Sequence, residues 1–91
     1  MYIDKNKNDK YFRTNNFYTS VFLFTKNQTL VDIDKISDPK RATFVFLNTP
    51  ELEELVQKFN FGEENSPNMM VDARKFVMAI KTMKDKLYQN Y

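Results

Sequence analysis

The spacing of apolar residues in the second half of the chain predicts two amphipathic helices. In residues 50–60 the apolar positions recur every three or four residues, as a single buried face requires: Leu52, Leu55, Val56 and Phe59. The same spacing returns in residues 72–90, with an inward face of Phe76, Ala79, Ile80, Met83 and Leu87. Thr49 and Pro50 are suited to begin the first helix, and Asp72 is suited to cap the second.

The first half of the chain predicts three strands. Residues 29–34 alternate between apolar and polar side chains, which places Val31 on the inner side of a half-exposed strand. Residues 42–47 are apolar on both sides, as is typical of a central strand, and residues 11–14 form a third, short strand. An Asp-Pro pair between the two longer strands marks the turn of an antiparallel hairpin.

Residues 17–26, FYTSVFLFTK, fit two different elements. Their aromatic and β-branched residues favour a strand, whereas an apolar period near 3.6 favours a helix. We choose the helix, with an asparagine in front of it as the N-cap. Its inward face would carry Phe17, Val21 and Phe24, with Tyr18 and Phe22 beside them. Its water-facing side would carry Thr19, Ser20 and Lys26.

These elements predict an α+β fold, a small three-stranded antiparallel sheet with helices packed on it, in the order β-α-β-β-α-α. Residues 1–10 are polar and are expected to be a flexible lead, followed by a single domain over residues 11–91. The predicted core consists of Phe22 or Phe24, Val31, Phe44, Phe46, Leu52, Val56, Phe59, Phe76, Ile80, Met83 and Leu87.

Composition argues against most enzyme chemistry. The 91 residues include no Cys and no His, so thiolate nucleophiles, the commonest general base and the commonest transition-metal ligand are missing. A glycine-rich phosphate loop cannot form, because Gly62 is the only glycine. We therefore expect a non-enzymatic protein with no catalytic residue and no cofactor.

Two groups of acidic residues are candidate sites. Asp32, Asp34 and Asp38 have a spacing that could bind a hard cation, but the glycine and terminal glutamate of a calcium loop are missing. We interpret them as a solvated strand face and predict no metal. The glutamates that follow Pro50 are explained by the helix dipole, which favours acids in the first turn.

The two C-terminal helices carry opposite charge. Between residues 48 and 73 there are six acids and one base, whereas residues 74–91 contain five bases and one acid, Asp85. On the last helix, cations and a terminal aromatic fall along one ridge, which suits either an acidic protein surface or phosphate contacts with base stacking. Plain solvation explains the same pattern. The candidate binding residues are Arg13, Arg74, Lys81, Lys84 and Tyr88, with Lys40 and Arg41 as further cations.

Several large apolar residues exceed what one small core can absorb. They are Tyr2, Phe61, Met69, Met70, Tyr88 and Tyr91. An exposed apolar patch of this kind is typical of an interface, so we expect a homodimer or another protein partner. No stretch is long enough to span a membrane and no signal peptide is visible, so we expect a cytoplasmic protein.

The segments TFVFLNTPELEELVQKFNFG and VDARKFVMAIKTMKDKLY resemble a small domain family of unknown function that recurs in phages and in bacterial genomes carrying mobile elements. The resemblance covers about residues 11–90. It includes the early aromatic strand, the F-x-F strand (Phe44, Phe46) and the V-D-x-R-x-F motif that begins at Val71. It implies the same β-α-β-β-α-α order and a phage or mobile-element origin, and it brings no catalytic residues. The long GEENSPNMM linker departs from the pattern.

Two functional classes remain open. The first is a non-enzymatic module that binds a protein, for example a phage product that inhibits a host or defence protein. The alternative is a weak, sequence-nonspecific nucleic-acid accessory protein that uses the basic last helix. A nucleic-acid binder should present cations without acids among them, whereas a protein binder should present exposed aromatic or methionine residues with a charged rim.

Overall fold

The computed structural model describes residues 10–38, 40–62 and 67–88. Its elements are β1 (Tyr11–Thr14), α1 (Phe17–Thr25), β2 (Leu30–Asp34), β3 (Thr43–Leu47), α2 (Pro50–Phe61) and α3 (Ala73–Leu87), with a 3-10 turn at Pro67–Met69. The predicted α+β class and β-α-β-β-α-α order are confirmed. Apart from Lys10, the lead predicted for residues 1–10 lies outside the described residues, as do Tyr2, Tyr91 and Pro39.

The sheet has β3 in its centre and is antiparallel throughout, in the order β1-β3-β2. Phe46 is the register partner of Phe12 on one side and Leu30 on the other, and all three belong to the core cluster. Side chains alternate along a strand, so the opposite face carries Val45 and Leu47. Leu47 is exposed, and Val45 is buried but does not belong to the core cluster. The core therefore lies on one face of the sheet.

The prediction that Val31 belongs to the core is wrong. The register of β2 shifts between Leu30 and Asp32, and this bulge leaves Val31 without a partner on β3. A bulge changes the phase of the alternation, so Leu30 and Ile33 pack against the core while Val31 is 49% exposed.

Helix α1 is the central helix, in contact with α2, α3 and β1. Asn16 caps it by accepting a hydrogen bond from the Thr19 N–H at 3.0 Å, which confirms the choice of a helix. Thr19 and Ser20 were expected to face water, and this expectation is wrong, since both are buried. Neighbouring elements surround α1, and the Ser20 hydroxyl donates to the Asn16 carbonyl at 3.0 Å, so burial leaves it satisfied.

The ends of α2 and α3 follow the predicted capping. Thr49 Oγ1 accepts from the Leu52 N–H at 3.0 Å, and Asp72 accepts from two N–H groups of the first turn of α3. Gly62 ends α2 by donating its N–H to the Lys58 carbonyl at 2.7 Å. A Cβ at this position would lie 2.6 Å from that same oxygen, so glycine allows the close approach.

The rest of the predicted core is found in one cluster. Its fully buried members are Val21, Phe22, Leu23, Phe44, Phe46, Leu52, Leu55, Ala79 and Met83. The other predicted core residues are half-buried against it: Phe24, Val56, Phe59, Phe76, Ile80 and Leu87. Phe22 and Phe59 stack with ring centroids 4.8 Å apart, and this contact joins α1 to α2. Leu23 was not predicted, although it is completely buried.

Candidate binding surface around the last helix

Helix α3 turns one face toward the core, with Phe76, Ile80 and Leu87 half-buried at its edges, and exposes its opposite side to water. Only Ala79 and Met83 are fully buried on it. Five exposed residues spaced three or four apart form one stripe along the helix, which we call the outer stripe: Arg74, Val77, Lys81, Lys84 and Tyr88. Four of the five predicted binding residues therefore share one side of one helix.

The outer stripe and its border combine charged and apolar side chains. Val77 and Tyr88 lie within the stripe and are exposed, and Met78 beside it is 59% exposed. One acid, Asp85, also lies on this surface. None of Arg74, Lys81 and Lys84 forms an ion pair within the part of the chain that the structure describes. The surface therefore presents uncompensated cations next to apolar area.

A groove of about 530 Å³ runs between the end of α1 and the first half of α3. We call it the α1–α3 groove. Its apolar lining comes from Phe24, Met78 and Ala79, and Arg74 and Lys75 supply its charge. None of the described acids lines it, so the charge of its described lining favours an anionic partner.

The walls of this groove are held by specific contacts. Asn27, which lines it, adopts a left-handed conformation with φ 68°, one that asparagine tolerates well. Gln28 accepts a hydrogen bond from the Thr49 hydroxyl at 3.2 Å, which ties the end of α1 to the cap of α2. The Lys26 ammonium donates to the Met70 carbonyl at 2.7 Å and fixes the segment that leads into α3.

A second, smaller groove of about 280 Å³ lies on the other side of α3, at its C-terminal end. We call it the aromatic groove. Phe17 and Tyr18 of α1 line it together with Lys84 and Tyr88, and Arg41 comes from the turn before β3. The structure thus joins Lys84 and Tyr88 with Arg41, and separates them from Arg74.

Arg13 does not belong to either of these grooves. It lies on β1, where its guanidinium is 5.7 Å from the centre of the Tyr11 ring. It lines a third groove between β1 and α2 that also contains Glu53. The sequence placed Arg13 with the cations of the last helix by charge alone, and the topology puts it elsewhere.

The aspartates near the β2–β3 turn have structural roles. The Asp34 carboxylate accepts from the Ser37 hydroxyl at 2.7 Å and from the N–H groups of Ser37 and Ile36. These hydrogen bonds, the hydroxyl first, hold the pKa of Asp34 below its ordinary value. Asp38 accepts from the Lys40 N–H at 3.0 Å. Among the described residues, no three acidic side chains are grouped so that they could hold a metal ion.

Some residues of these grooves were not predicted as binding residues. Tyr18 was placed beside the inward face of α1, yet it is 59% exposed. Met78 was not assigned to either side of its helix. On the helical wheel it lies far from the apolar positions 76, 80 and 83, and this spacing predicts an outward side chain. No sequence signal pairs Arg41 with Lys84, since that pairing depends on how the turn packs beside α3.

Within the described ranges, no helix has both the length and the apolar character needed to cross a membrane. A family model described as Domain of unknown function (DUF5659) matches residues 9–89, a stretch that contains every element of the fold. The resemblance to a domain family of unknown function is thereby confirmed. No curated protein and no solved structure matches the chain.

Proposed function

We propose that this chain, which belongs to the DUF5659 domain family, is a small non-enzymatic module that binds a protein with an acidic surface. One observation carries the proposal. The outer side of α3 combines cations that have no ion-pair partner among the described residues with exposed apolar side chains, next to a groove with an apolar floor.

The α1–α3 groove has the features of an anchor site for a partner's side chain. Binding energy at interfaces concentrates where large side chains enter desolvated pockets surrounded by polar groups. Phe24, Met78 and Ala79 supply the apolar floor for such a side chain. Arg74 and Lys75 at the rim would meet carboxylates of the partner, and their charge would raise the association rate.

The alternative, weak and sequence-nonspecific binding of nucleic acid along the outer stripe, receives less support. Affinity for a nucleic acid rises with the number of phosphates that cations neutralise, and an acid on the same surface repels the phosphate backbone. Val77 and Asp85 interrupt the row of cations on α3, and Arg13 lies on a different element. The net charge of +2 also gives little general attraction to a polyanion.

A second copy of the chain is one partner with the proposed chemistry. The first turns of α2 expose Glu51, Glu53 and Glu54, which are complementary in charge to α3. In a two-fold dimer the acidic helix of each copy would face the basic helix of the other. Light scattering tests this part of the proposal, and a monomer at high micromolar concentration would contradict it.

We further propose that the chain comes from a phage or mobile element and acts in the cytoplasm, for example as an inhibitor of a host or defence protein. Lysine greatly outnumbers arginine and asparagine is abundant, as in AT-rich genomes. A domain without catalytic chemistry can still inhibit a partner by covering its surface.

Synthetic peptides test the protein-binding proposal directly. An acidic peptide with one central leucine or phenylalanine should perturb the amide signals of Phe24, Met78 and Ala79 in an NMR titration at low salt. An Arg74→Glu/Lys75→Glu variant should weaken this binding at least tenfold, because its rim repels the peptide.

The matched control is Lys10→Glu/Lys40→Glu, which changes the net charge by the same amount at exposed positions outside the groove. It should bind nearly as well as the wild type. If the control loses as much affinity as the rim variant, or if an acidic peptide without the apolar residue binds equally well, attraction is only general and the groove is not the site.

A further inference from the structure

The aromatic groove contains two exposed tyrosines whose backbones are held in place. Tyr88 is 73% exposed, and its N–H donates to the Lys84 carbonyl at 3.0 Å as the C-cap of α3. The Tyr18 ring packs edge-on against the Phe17 ring, with the ring centroids 5.3 Å apart. The Phe17 ring in turn packs against the ring of the buried Phe44, with centroids 6.0 Å apart. Tyr18 is therefore connected to the core through a series of aromatic contacts while its own ring remains accessible.

The end of α3 is also tied to the sheet. The Lys35 ammonium donates to the Leu87 carbonyl at 2.8 Å, and Lys35 follows β2 directly. The turn before β3 is closed by a hydrogen bond from the Arg41 N–H to the Asp38 carbonyl at 3.1 Å. Both walls of the groove are thus positioned by contacts independent of any ligand, which reduces the entropy lost on binding.

Among the residues that the structure describes, the charge lining the groove is positive only. Arg41 and Lys84 line it, none of the described acids does, and neither cation forms an ion pair with another described residue. A guanidinium and an ammonium together match the charge of a phosphate group, and the guanidinium can donate two parallel hydrogen bonds to it.

Asn15 adds an oriented acceptor. Its Nδ2 donates to the Ala42 carbonyl at 3.0 Å and to the Thr43 hydroxyl at 2.9 Å. Because a carbonyl can only accept, these contacts identify the amide nitrogen and place Oδ1 on the other side. Within the described residues Oδ1 accepts no hydrogen bond, so it can receive one from an amino group of a ligand.

We infer that the aromatic groove binds a nucleobase that carries a phosphate, presented by a single-stranded nucleic acid or by a free nucleotide. Tyr18 and Tyr88 would stack on the base, as aromatic side chains do in single-strand binding, while Arg41 and Lys84 neutralise the phosphate. The groove volume of about 280 Å³ is just below the usual range of roughly 300–1,000 Å³ for ligand pockets, so it suits one ring system. This inference does not depend on the proposed protein-binding function, which uses the α1–α3 groove.

Four probes separate the parts of this ligand: AMP, adenosine, inorganic phosphate and the single strand dA10. Each is titrated into the full chain at low salt, and the amide signals of Tyr18, Arg41 and Lys84 are followed by NMR. AMP, dA10 or both should perturb these signals. Adenosine and inorganic phosphate should each bind at least tenfold more weakly than whichever of AMP and dA10 binds. Saturation by AMP identifies a free nucleotide as sufficient, whereas binding of dA10 alone identifies a strand.

Variants assign the contacts. Tyr18→Leu and Tyr88→Leu keep apolar area but remove the stacking ring, and each should weaken binding about 5- to 150-fold. Arg41→Gln and Lys84→Gln should each reduce the salt slope for dA10 by about 0.7. Lys86→Gln is the matched control, since it makes the same change as Lys84→Gln in the last turn of α3 but outside the groove, and it should bind dA10 almost as well as the wild type. Thermal melts confirm that each variant is folded.

Four outcomes would overturn the inference. The first is no shift of these signals with AMP or dA10, and the second is inorganic phosphate binding as tightly as both. The third is Lys86→Gln losing as much affinity as Lys84→Gln, which would mean diffuse attraction to the helix. The fourth is a phosphotyrosine peptide that binds more tightly than every nucleotide probe, which would assign the groove to phosphorylated proteins.

Discussion

Helices α1 and α3 both pack on the same core, but they differ in how much of their surface is buried. α1 is the shorter helix and buries five consecutive residues, from Thr19 to Leu23. α3 is longer and fully buries only Ala79 and Met83. A helix surrounded by other elements is constrained at almost every position, whereas a helix packed on one side leaves most of its surface free for recognition. Stability should therefore depend mainly on α1, and binding on α3.

The largest losses of stability are expected where a completely buried side chain is truncated, as in the middle of α1. Leu23→Ala removes a completely buried side chain and should lower the free energy of unfolding by about 2–5 kcal/mol. Such a loss is a large part of the stability of a small domain. Urea unfolding followed by circular dichroism measures it. Val77→Ala on α3 is the control and should stay within about 0.5 kcal/mol of the wild type. Coincident unfolding curves for Leu23→Ala and the wild type would remove the distinction between the helices.

Within α3 the loss of stability caused by a truncation to alanine should be smaller for residues farther from the centre of the buried face. Met83→Ala should destabilise by about 2–5 kcal/mol, because Met83 is fully buried. Ile80 is half-buried at the edge of the same face, so Ile80→Ala should cost only about 1–2 kcal/mol. The same urea experiment compares them, and a larger loss for Ile80→Ala would mean that the inward face of α3 is centred elsewhere.

The N-caps offer a smaller and more local comparison. Asn16→Ala and Asp72→Ala each remove the hydrogen bonds of one cap and should each cost about 1 kcal/mol. Their effects on amide hydrogen exchange should differ. Loss of the α1 cap should accelerate exchange throughout the core, since α1 contacts both α2 and α3. Loss of the α3 cap should accelerate exchange mainly in the first turn of α3. Equal patterns in the two variants would show that the helices unfold as one unit.

The contrast between these helices also explains what sequence could predict. α3 has a regular period, with cations opposite Phe76, Ile80 and Met83, so its inward face was predicted correctly. In α1 the apolar period does not separate a buried side from an exposed side, because neighbouring elements cover nearly every side of the helix. The burial of Thr19, Ser20 and Leu23 follows from the topology rather than from the local sequence pattern. Val31 was misplaced for a similar reason, since a bulge depends on how β2 pairs with β3.

The binding surfaces show the same limit. The row of cations on α3 is readable from spacing along a single helix. The grooves beside it combine elements that are far apart in sequence, such as Phe24 with Met78 or Arg41 with Lys84. Charge alone could not separate Arg13 from the α3 cations, because that separation is a property of the fold.

The smallest change in stability is expected when a charge on the outer stripe is removed. Lys81 is exposed and makes no ion pair with a described residue, so Lys81→Gln should change the free energy of unfolding by less than about 0.5 kcal/mol. Lys84→Gln should cost slightly more, about 0.3–1 kcal/mol, because a cation in the last turn interacts favourably with the helix dipole. Thermal melts at low and high salt check this order, since salt should reduce the Lys84 effect. A loss above 2 kcal/mol in Lys81→Gln would mean that the outer stripe supports the fold, and the assignment of stability to α1 and recognition to α3 would then be wrong.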